Sequence, residues 1–366
     1  MKNKVNTNQE NIKENLLIIY SNVNSLLNKR NELNQLIADR DPDVIQLTEA
    51  LPKNCKIEDF SQDFYIPGYN LFFNKNPKRG IVVFIKTSID ATLIETLQCD
   101  IIECLCFSLK IKNQNIFLGC IYRSPSSDKN NSTYQIIELF KSLDSFTYDK
   151  FLMTGDFNYP DIDWTDKLLL SPIDSKFVEC VDDLFLQQMI TQPTRNINNQ
   201  KCNILDLLFT SDDTLIESIE HIAPIGKSDH DVLLIYINLP KTIPAQAEPR
   251  SNFYKTDFKG LKTYLSNTDW SCLHSLNIDD AWKYFSDTLH KGFKLFVPKT
   301  KVKNKKQPFW LNKKCSKAIK NKYHFFKKYK ESKLSCDYHL YTEARNKVKK
   351  EIRLAVKEHE KKISQN

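Results

Sequence analysis

Short apolar runs alternate with polar, turn-rich stretches along most of this chain. "NLLIIYS" (15–21) is an apolar run closing on a tyrosine and a serine, and it predicts a buried strand. Leu26, Leu33, Leu36 and Ile37 then fall near helical spacing over residues 26–38, and "PDVIQLTEA" (42–50) predicts a second strand. "GYNLFFN" (68–74) and "GIVVFIK" (80–86) flank the turn-rich "KNPKR" and predict a hairpin. "IIECLCFSLKI" and "NIFLGCIYRSP", joined through "KNQN", predict another. A helix over 133–144 precedes the run Phe151-Leu152-Met153, a strand expected to stop at Gly155. A helix over 174–189 follows, and "CNILDLLFT" (202–210) and "HDVLLIYINLP" (230–240) are the last strands expected. Many strands with a few interspersed helices predict an α/β (α+β) body with sheets at its centre.

After Pro240 the pattern changes. "KTIPAQAEPRSNFYKT" is polar and Pro-containing and reads as a linker, and residues 256–296 read as helix with Trp270, Trp282, Phe285 and Phe293 available for packing. "PKTKVKNKKQPFW" is a second break, beyond which 311–362 reads as one or two Lys-rich helices carrying Tyr323, Phe325, Phe326, Tyr329, Tyr338 and Tyr341. The expected organisation is a polar tail at 1–14, a main domain at 15–240, a linker with a helical segment at 241–300 and a basic helical segment at 301–366.

Composition narrows the class. The 366 residues, 41% of them hydrophobic, can build one large core or two ordinary ones. "MKNKVNTNQENIKEN" has no apolar segment of the secretory kind, and no stretch approaches the roughly 20 apolar residues of a membrane span. A soluble, intracellular protein is expected. None of the 10 cysteines forms C-x-x-C, and Cys104 and Cys106 fit one face of a strand better than a zinc site, so buried reduced thiols are expected. Residues 301–366 hold 21 Lys and Arg against 6 Asp and Glu, a surplus of +15 that leaves −7 on residues 1–300. A basic tail on an acidic body points to a polyanionic partner at the tail.

The chemistry gathers at strand ends, where sites are assembled in sheet proteins. Asn22 and Asn24 end the first strand, Glu49 the second, Tyr122 and Arg123 another, and Asp156 and Asn158 follow Phe151-Leu152-Met153. Asp156 and Asn158 are two apart, so on extended backbone both would enter one pocket. Asp206 stands inside "NILDLLF", where an unpaired acid is costly to bury. Ser228, Asp229 and His230 open the last strand. Glu49, Asp206 and Asp229 are hard oxygen donors that suit Mg²⁺ or Mn²⁺ rather than zinc. Asp156 can deprotonate a water, Asn158 can hold it or a phosphate oxygen, and a carboxylate beside His230 would raise the pKa of the imidazole. Taken singly, Glu49 reads as a solvated strand-end carboxylate, Tyr122 as a core-edge tyrosine and Asn22 as a turn residue. Together they read as a phosphodiesterase-type site. Asp161, Asp163 and Trp164 read as a structural turn, and Asp182 and Asp183 as the wet face of a helix.

"GDFNYPDIDW", "YRSP" and "SDHD", in that order, resemble the endonuclease/exonuclease/phosphatase superfamily with its DNase I-like fold of two packed sheets flanked by helices. Within it they are similar to the endonuclease of LINE-type, jockey-like non-LTR retrotransposons. The resemblance covers about residues 15–240, and the basic stretch beyond resembles the segment that precedes the reverse transcriptase in such elements. It implies a Mg²⁺-dependent DNA endonuclease that nicks one strand and leaves a 3′-hydroxyl to prime reverse transcription, acting in the nucleus or the cytoplasm. It also implies roles: Asn22, Glu49 and Asp229 at the metal, Asp156 as base, Asn158 supporting the transition state, Asp206 paired with His230, and Tyr122 and His230 on the phosphate. Arg123, Asn24 and Ser228 are expected on the nucleic acid, with RNA or a reverse transcriptase domain as further partners of the tail. Asn24 stands where many relatives have Asp. Two alternatives remain: a phosphatase or phosphodiesterase of the same fold acting on a small-molecule or lipid phosphoester, and an inert nucleic-acid-binding relic.

Overall fold

The computed structural model describes residues 15–52, 64–74, 79–94, 101–143, 148–164, 171–195, 203–240, 250–300 and 307–365. The polar tail expected at 1–14, the "KNPKR" turn up to Lys78 and the stretches 241–249 and 301–306 lie outside the described residues. The chain divides into two compact units, one formed by residues 1–242 together with 307–366, the other by residues 243–306.

The larger unit is built on two six-stranded sheets. The first contains β1 (Asn15–Asn22), β2 (Val44–Thr48), β3 (Tyr69–Phe73), β4 (Val82–Lys86), β11 (Ile216–Ile222) and β12 (Val232–Pro240), in the order β11-β12-β1-β2-β4-β3. The second contains β5 (Asp90–Leu93), β6 (Glu103–Ile111), β7 (Gln114–Tyr122), β8 (Lys150–Asp156), β9 (Gln187–Gln188) and β10 (Asp206–Thr210), in the order β5-β6-β7-β8-β10-β9. Each sheet has one parallel pair at its centre, β1 with β2 and β7 with β8, and its other pairings are antiparallel.

Alternation along the strands makes the layers. Leu16, Ile18 and Tyr20 of β1 enter the core between the sheets with Leu118, Cys120 and Tyr122 of β7, Leu152 of β8 and Leu208 of β10. Leu17 and Ile19 face the opposite way, onto Leu33 and Leu36 of α1 (Arg30–Arg40). The outer face of the second sheet is covered by α2 (Lys129–Leu143) and α3 (Pro172–Asp183) through an aromatic cluster that includes Phe140, Phe157, Phe177 and Phe209. This is the expected sandwich of two sheets flanked by helices.

The helix expected over 256–296 is two helices, β5 was not expected, and three further differences bear on the sheets. The helix expected over 174–189 ends at Asp183 because Phe185 takes a left-handed φ of 52°, and Gln187–Gln188 instead pairs with β10. Leu184, Leu186 and Met189 kept the apolar spacing going and hid the break. β11 is an added strand along β12; its isoleucines at 216, 219 and 222 are spaced by three, which masks a strand. β8 runs on to Asp156, so Gly155 is a strand residue rather than a turn. A Cβ there would lie 2.2 Å from the Ile121 carbonyl oxygen, so glycine is required for close approach.

The basic segment forms two helices, α6 (Lys313–Ser332) and α7 (Ser335–Ser364), which pair through Cys315, Ala318, Ile319, Val348, Ile352 and Ala355. They belong to the same compact unit as the sheets. Phe326 and Tyr341 pack with Ala223, and Tyr323 lies against the outer core of the first sheet. Lys322 is 1% exposed, and its ammonium donates to Glu32 and to the Pro224 carbonyl. The smaller unit holds α4 (Phe258–Ser266), α5 (Ile278–Phe296) and the short ribbon β13 (Arg250–Ser251) with β14 (Lys299–Thr300). Among the described residues no helix is long and apolar enough to cross a membrane, and seven cysteines are free.

Candidate active site

Strand direction decides where the polar residues meet. The parallel pairs bring the C-terminal ends of β1, β2, β7 and β8 to one edge, and β10 and β12, antiparallel to their neighbours, begin there. Tyr122, Asp156 and Asp206 stand side by side in register across the second sheet. They occupy the rung that follows the inward-facing Leu118–Cys120, Leu152–Thr154 and Leu208 positions. Asn22 follows Leu16, Ile18 and Tyr20 in the same way. The site is therefore the open end of the sandwich interior, where period-two alternation continues but the residues become polar.

One half of the site is an ion pair. His230 Nδ1 lies 2.7 Å from Asp206 Oδ2, with the two residues 5% and 1% exposed. The Tyr20 hydroxyl donates to Asp206 Oδ1 at 2.9 Å, so both carboxylate oxygens are engaged. Burial pulls the His230 pKa down, but Asp206, with Asp156 and Asp229 nearby, outweighs it and raises the pKa to about 10. The imidazole is a cation at neutral pH.

The other half centres on Asp156 and Glu49. Asp156 Oδ2 accepts from the Asn22 amide at 2.8 Å, while its Oδ1 is buried with no hydrogen-bond partner among the described residues. Burial raises the Asp156 pKa to about 7 against the lowering pull of His230, with Asp206 adding to the rise. The Asn22 amide also donates to Glu49 Oε1 at 3.0 Å, and the Tyr122 hydroxyl reaches the same oxygen at 3.2 Å. Arg79 donates to Glu49 Oε2 through Nε at 3.0 Å and through its terminal nitrogen. Burial acts to raise the Glu49 pKa, but these donors outweigh it and the carboxyl stays below its ordinary value.

The backbone around these residues is held out of its ordinary range. Asn24, Ser25, Glu49 and Asn158 all have φ between 41° and 70°. Non-glycine residues pay for that conformation, and it persists only where neighbours enforce it. The Ser25 amide donates to the Glu49 carbonyl at 2.7 Å, and the Ala50 amide to the Gly80 carbonyl at 3.0 Å, locking the Glu49 turn from both sides. Asn158 leaves the strand through a left-handed turn rather than on extended backbone, and its amide lies 3.5 Å from the Arg123 carbonyl.

The remaining expected residues have clear surroundings. Arg123 is 4% exposed; it donates to Ser132 and to the Phe157 and Asn158 carbonyls and stacks 4.3 Å over Tyr159. Its guanidinium braces the turn after β8 from inside. Ser228, 3% exposed, donates to the Asn22 carbonyl at 2.6 Å and accepts from the His230 amide, which fixes the loop carrying His230. Asn24 is exposed and accepts from Arg79 at 3.0 Å. Asp229 accepts from Arg195 Nε at 2.7 Å. Burial acts to raise the Asp229 pKa, but His230 and Arg195 outweigh it and hold the carboxyl below its usual value.

Asp156, Asp206 and His230 present ligand atoms that all lie within 4.8 Å of one another. Glu49 and Asp229 lie outside that group, Glu49 turned to Arg79 and Asp229 to Arg195. With Asp206 engaged twice and His230 cationic, the free donor of the group is Asp156 Oδ1. An orphaned buried carboxylate oxygen, next to the amide of Asn22 and an ionised Glu49, fits a hard divalent cation or the water it would carry.

Several site residues escape a reading of the sequence. Tyr20 looks like the last residue of an apolar run. Arg79 sits in a turn-rich stretch, and Thr194 in "TQPTRN" looks like loop. Thr194 Oγ1 accepts from the Leu205 and Asp206 amides, and its carbonyl accepts from the Asp231 amide at 2.8 Å, tying Asp206 to the His230 loop. Only a tyrosine closing a buried run hints at any of these partners.

Residues 116–234, from β7 into β12, match the family described as "Endonuclease-reverse transcriptase". No curated protein matches the chain. Among solved structures the chain is similar to the endonuclease domain of TRAS1, a telomere-specific non-LTR retrotransposon, at 15% identity over 62% of this chain and 100% of that one, with a TM-score of 0.47. It is also similar to D. rerio TDP2 complexed with single-strand DNA product (14% identity, 62% and 99% covered, TM-score 0.46). A third is the 3′-5′ exonuclease NExo from Neisseria meningitidis (15% identity, 61% and 99% covered, TM-score 0.44).

Proposed function

We propose that this chain is a Mg²⁺-dependent endonuclease, with Mn²⁺ as the second choice of ion, that nicks DNA and leaves a 3′-hydroxyl of the kind that primes reverse transcription. The observation that carries the reading is the orphaned Asp156 Oδ1 beside a buried imidazolium. A base and a fixed cation at one mouth suit hydrolysis of a phosphodiester, whose transition state needs a deprotonated water and a neutralised phosphate.

Asp156, with its pKa near 7, takes a proton from the attacking water at Oδ1. The water oxygen bonds to phosphorus, and the P–O3′ bond breaks with its electron pair going to the 3′-oxygen, which takes up a proton. His230, held through Nδ1 by Asp206, offers its Nε2–H to a phosphate oxygen. The Tyr122 hydroxyl and the Asn158 amide act as further donors at the phosphate. Glu49 and Asn22, with Asp229 as an additional carboxylate, would hold the divalent cation, which when bound supplies charge neutralisation at the phosphate and the leaving oxygen.

The test is nicking of supercoiled plasmid by wild type and His230→Ala, with Mg²⁺ and with EDTA. Open circles that require Mg²⁺ and disappear in the variant are expected. A folded wild type that releases phosphate from small phosphoesters without nicking would transfer the site to the phosphatase reading. Binding without either reaction would transfer it to the inert relic.

A further inference from the structure

A cationic groove of about 350 Å³ lies between α7, the start of α1 with the turn before it, and Gly226–Lys227 in the loop that leads to His230. Lys29, Arg30, Lys227, Arg345, Lys349 and Arg353 line it. The one carboxylate in its lining, Glu32, is occupied by Lys322 and by the Gly226 amide. Lys227, Lys349 and Arg353 are exposed, and none of them forms an ion pair among the described residues. Arg345 Nε is buried with no hydrogen-bond partner among the described residues, and the guanidinium lies 5.7 Å from the Tyr341 ring centroid.

Two lining residues tie the groove to the loops of the mouth. The Lys29 ammonium donates to the Val23 and Asn24 carbonyls in the turn after β1, and its pKa, lowered by burial, is raised in part by Glu32, Asp229 and Glu49. Lys227 directly precedes Ser228, Asp229 and His230. Lys227, Lys349 and Arg353, exposed and without an ion pair among the described residues, set along a concave track, match the phosphates of a nucleic-acid backbone.

We propose that this groove holds the phosphates of the target duplex on one side of the nicked position, so that α7 serves as a substrate-binding element of the endonuclease body. This rests on the endonuclease reading of the site, and its test is made without cleavage.

The measurement is fluorescence anisotropy of a labelled 30-base-pair duplex, in EDTA and over a series of salt concentrations. Wild type, Lys349→Glu/Arg353→Glu and Lys110→Glu/Lys112→Glu are compared as full chains, with circular dichroism to verify folding. The last pair carries the same charge change on the β6–β7 hairpin, at the end of the sandwich remote from the site. The groove variant is expected to bind about tenfold or more weakly at 0.1 M salt, and its log K against log salt should be shallower by about 2, near one unit per lost phosphate contact. The control should change neither by more than about a third of that. Equal losses in the two variants would overturn the groove, as would an unchanged slope in the groove variant or preferential binding of an RNA hairpin over the duplex. A wild type that binds through the groove and never nicks would leave the groove standing and remove the endonuclease reading.

Discussion

His230 Nδ1 and Asp206 Oδ2 meet at 2.7 Å, joining the loop that leads into β12 of the first sheet to the first residue of β10 in the second. The pair ties the two sheets together at the end that carries the candidate site and sets its charge. His230 in the folded protein has a pKa near 10, above the roughly 6.5 of an unfolded chain. The ion pair therefore contributes stability that is fully present below about pH 6.5 and is lost as pH rises toward 10. Activity should rise as Asp156 ionises near pH 7 and fall as His230 deprotonates near pH 10. Asp206→Asn should pull the falling limb of the kcat/KM profile toward neutral pH. An unmoved limb in that variant would remove His230 as its source.

Asp156→Asn is expected to lower nicking by about 10²–10⁴-fold, the typical contribution of general-base catalysis. The variant should also unfold at a higher temperature than wild type at pH 8 in EDTA. The raised Asp156 pKa means the ionised form is disfavoured in the fold, so stability is lost as pH climbs through about 7, and an amide avoids that loss. Melting curves at pH 5 and pH 8 check the sign.

Tyr20→Phe removes the hydroxyl that donates to Asp206 Oδ1 and lies 3.1 Å from Thr48 Oγ1. A buried hydrogen bond to a charged group is worth about 1.5–3 kcal/mol, so urea unfolding should show a loss in that range. With one restraint on Asp206 gone, kcat should fall about tenfold while duplex affinity stays unchanged.

Gly155→Ala should destabilise the larger unit by about 3 kcal/mol or more, because the added methyl meets the Ile121 backbone rather than a movable side chain. Gly68→Ala is its comparison: it has a φ of 87° but open space around its Cβ direction, and should cost about 1 kcal/mol. Equal melting temperatures for the two would contradict the packing described for β7 and β8.

Lys322→Ala leaves Glu32 beside an apolar seam without its ammonium partner. Breaking a buried pair costs about 3–5 kcal/mol, and a double-mutant cycle with Glu32→Gln should recover part of it as coupling. Additive losses would mean that the Lys322–Glu32 pair does not help to dock α6.

Much of the fold was legible because strands covered on both faces write themselves as unbroken apolar runs bounded by turns. The runs around Ile18, Phe84, Leu118, Met153 and Ile235 all became strands. Asp206 stood out for the same reason, as an acid in an apolar run that needed a partner. Failures arose where spacing was shared between element types, at Ile216–Ile219–Ile222 and across Phe185, whose backbone sign leaves no mark in composition. Tyr20 and Arg79 were illegible because their roles depend on which strand faces which, and that is decided by the packing of two sheets. Lys322 and Lys330 were hidden by number: among 21 basic residues in the tail, nothing local distinguishes those turned inward to Glu32 and Asp231 from those left in water.

The larger unit is assembled from two separated stretches, residues 1–242 and 307–366. A ribosome adds roughly 5–20 residues per second. Both sheets are thus complete several seconds before α6 and α7 exist. Through that interval the nascent sheet carries Ala223 and the outer core near Tyr323 uncovered, and Glu32 waits without its lysine. The order of manufacture gives the two-sheet sandwich first and its basic face last, so a chain interrupted between the two stretches would carry the residues of the mouth but lack the α7 wall of the groove beside it.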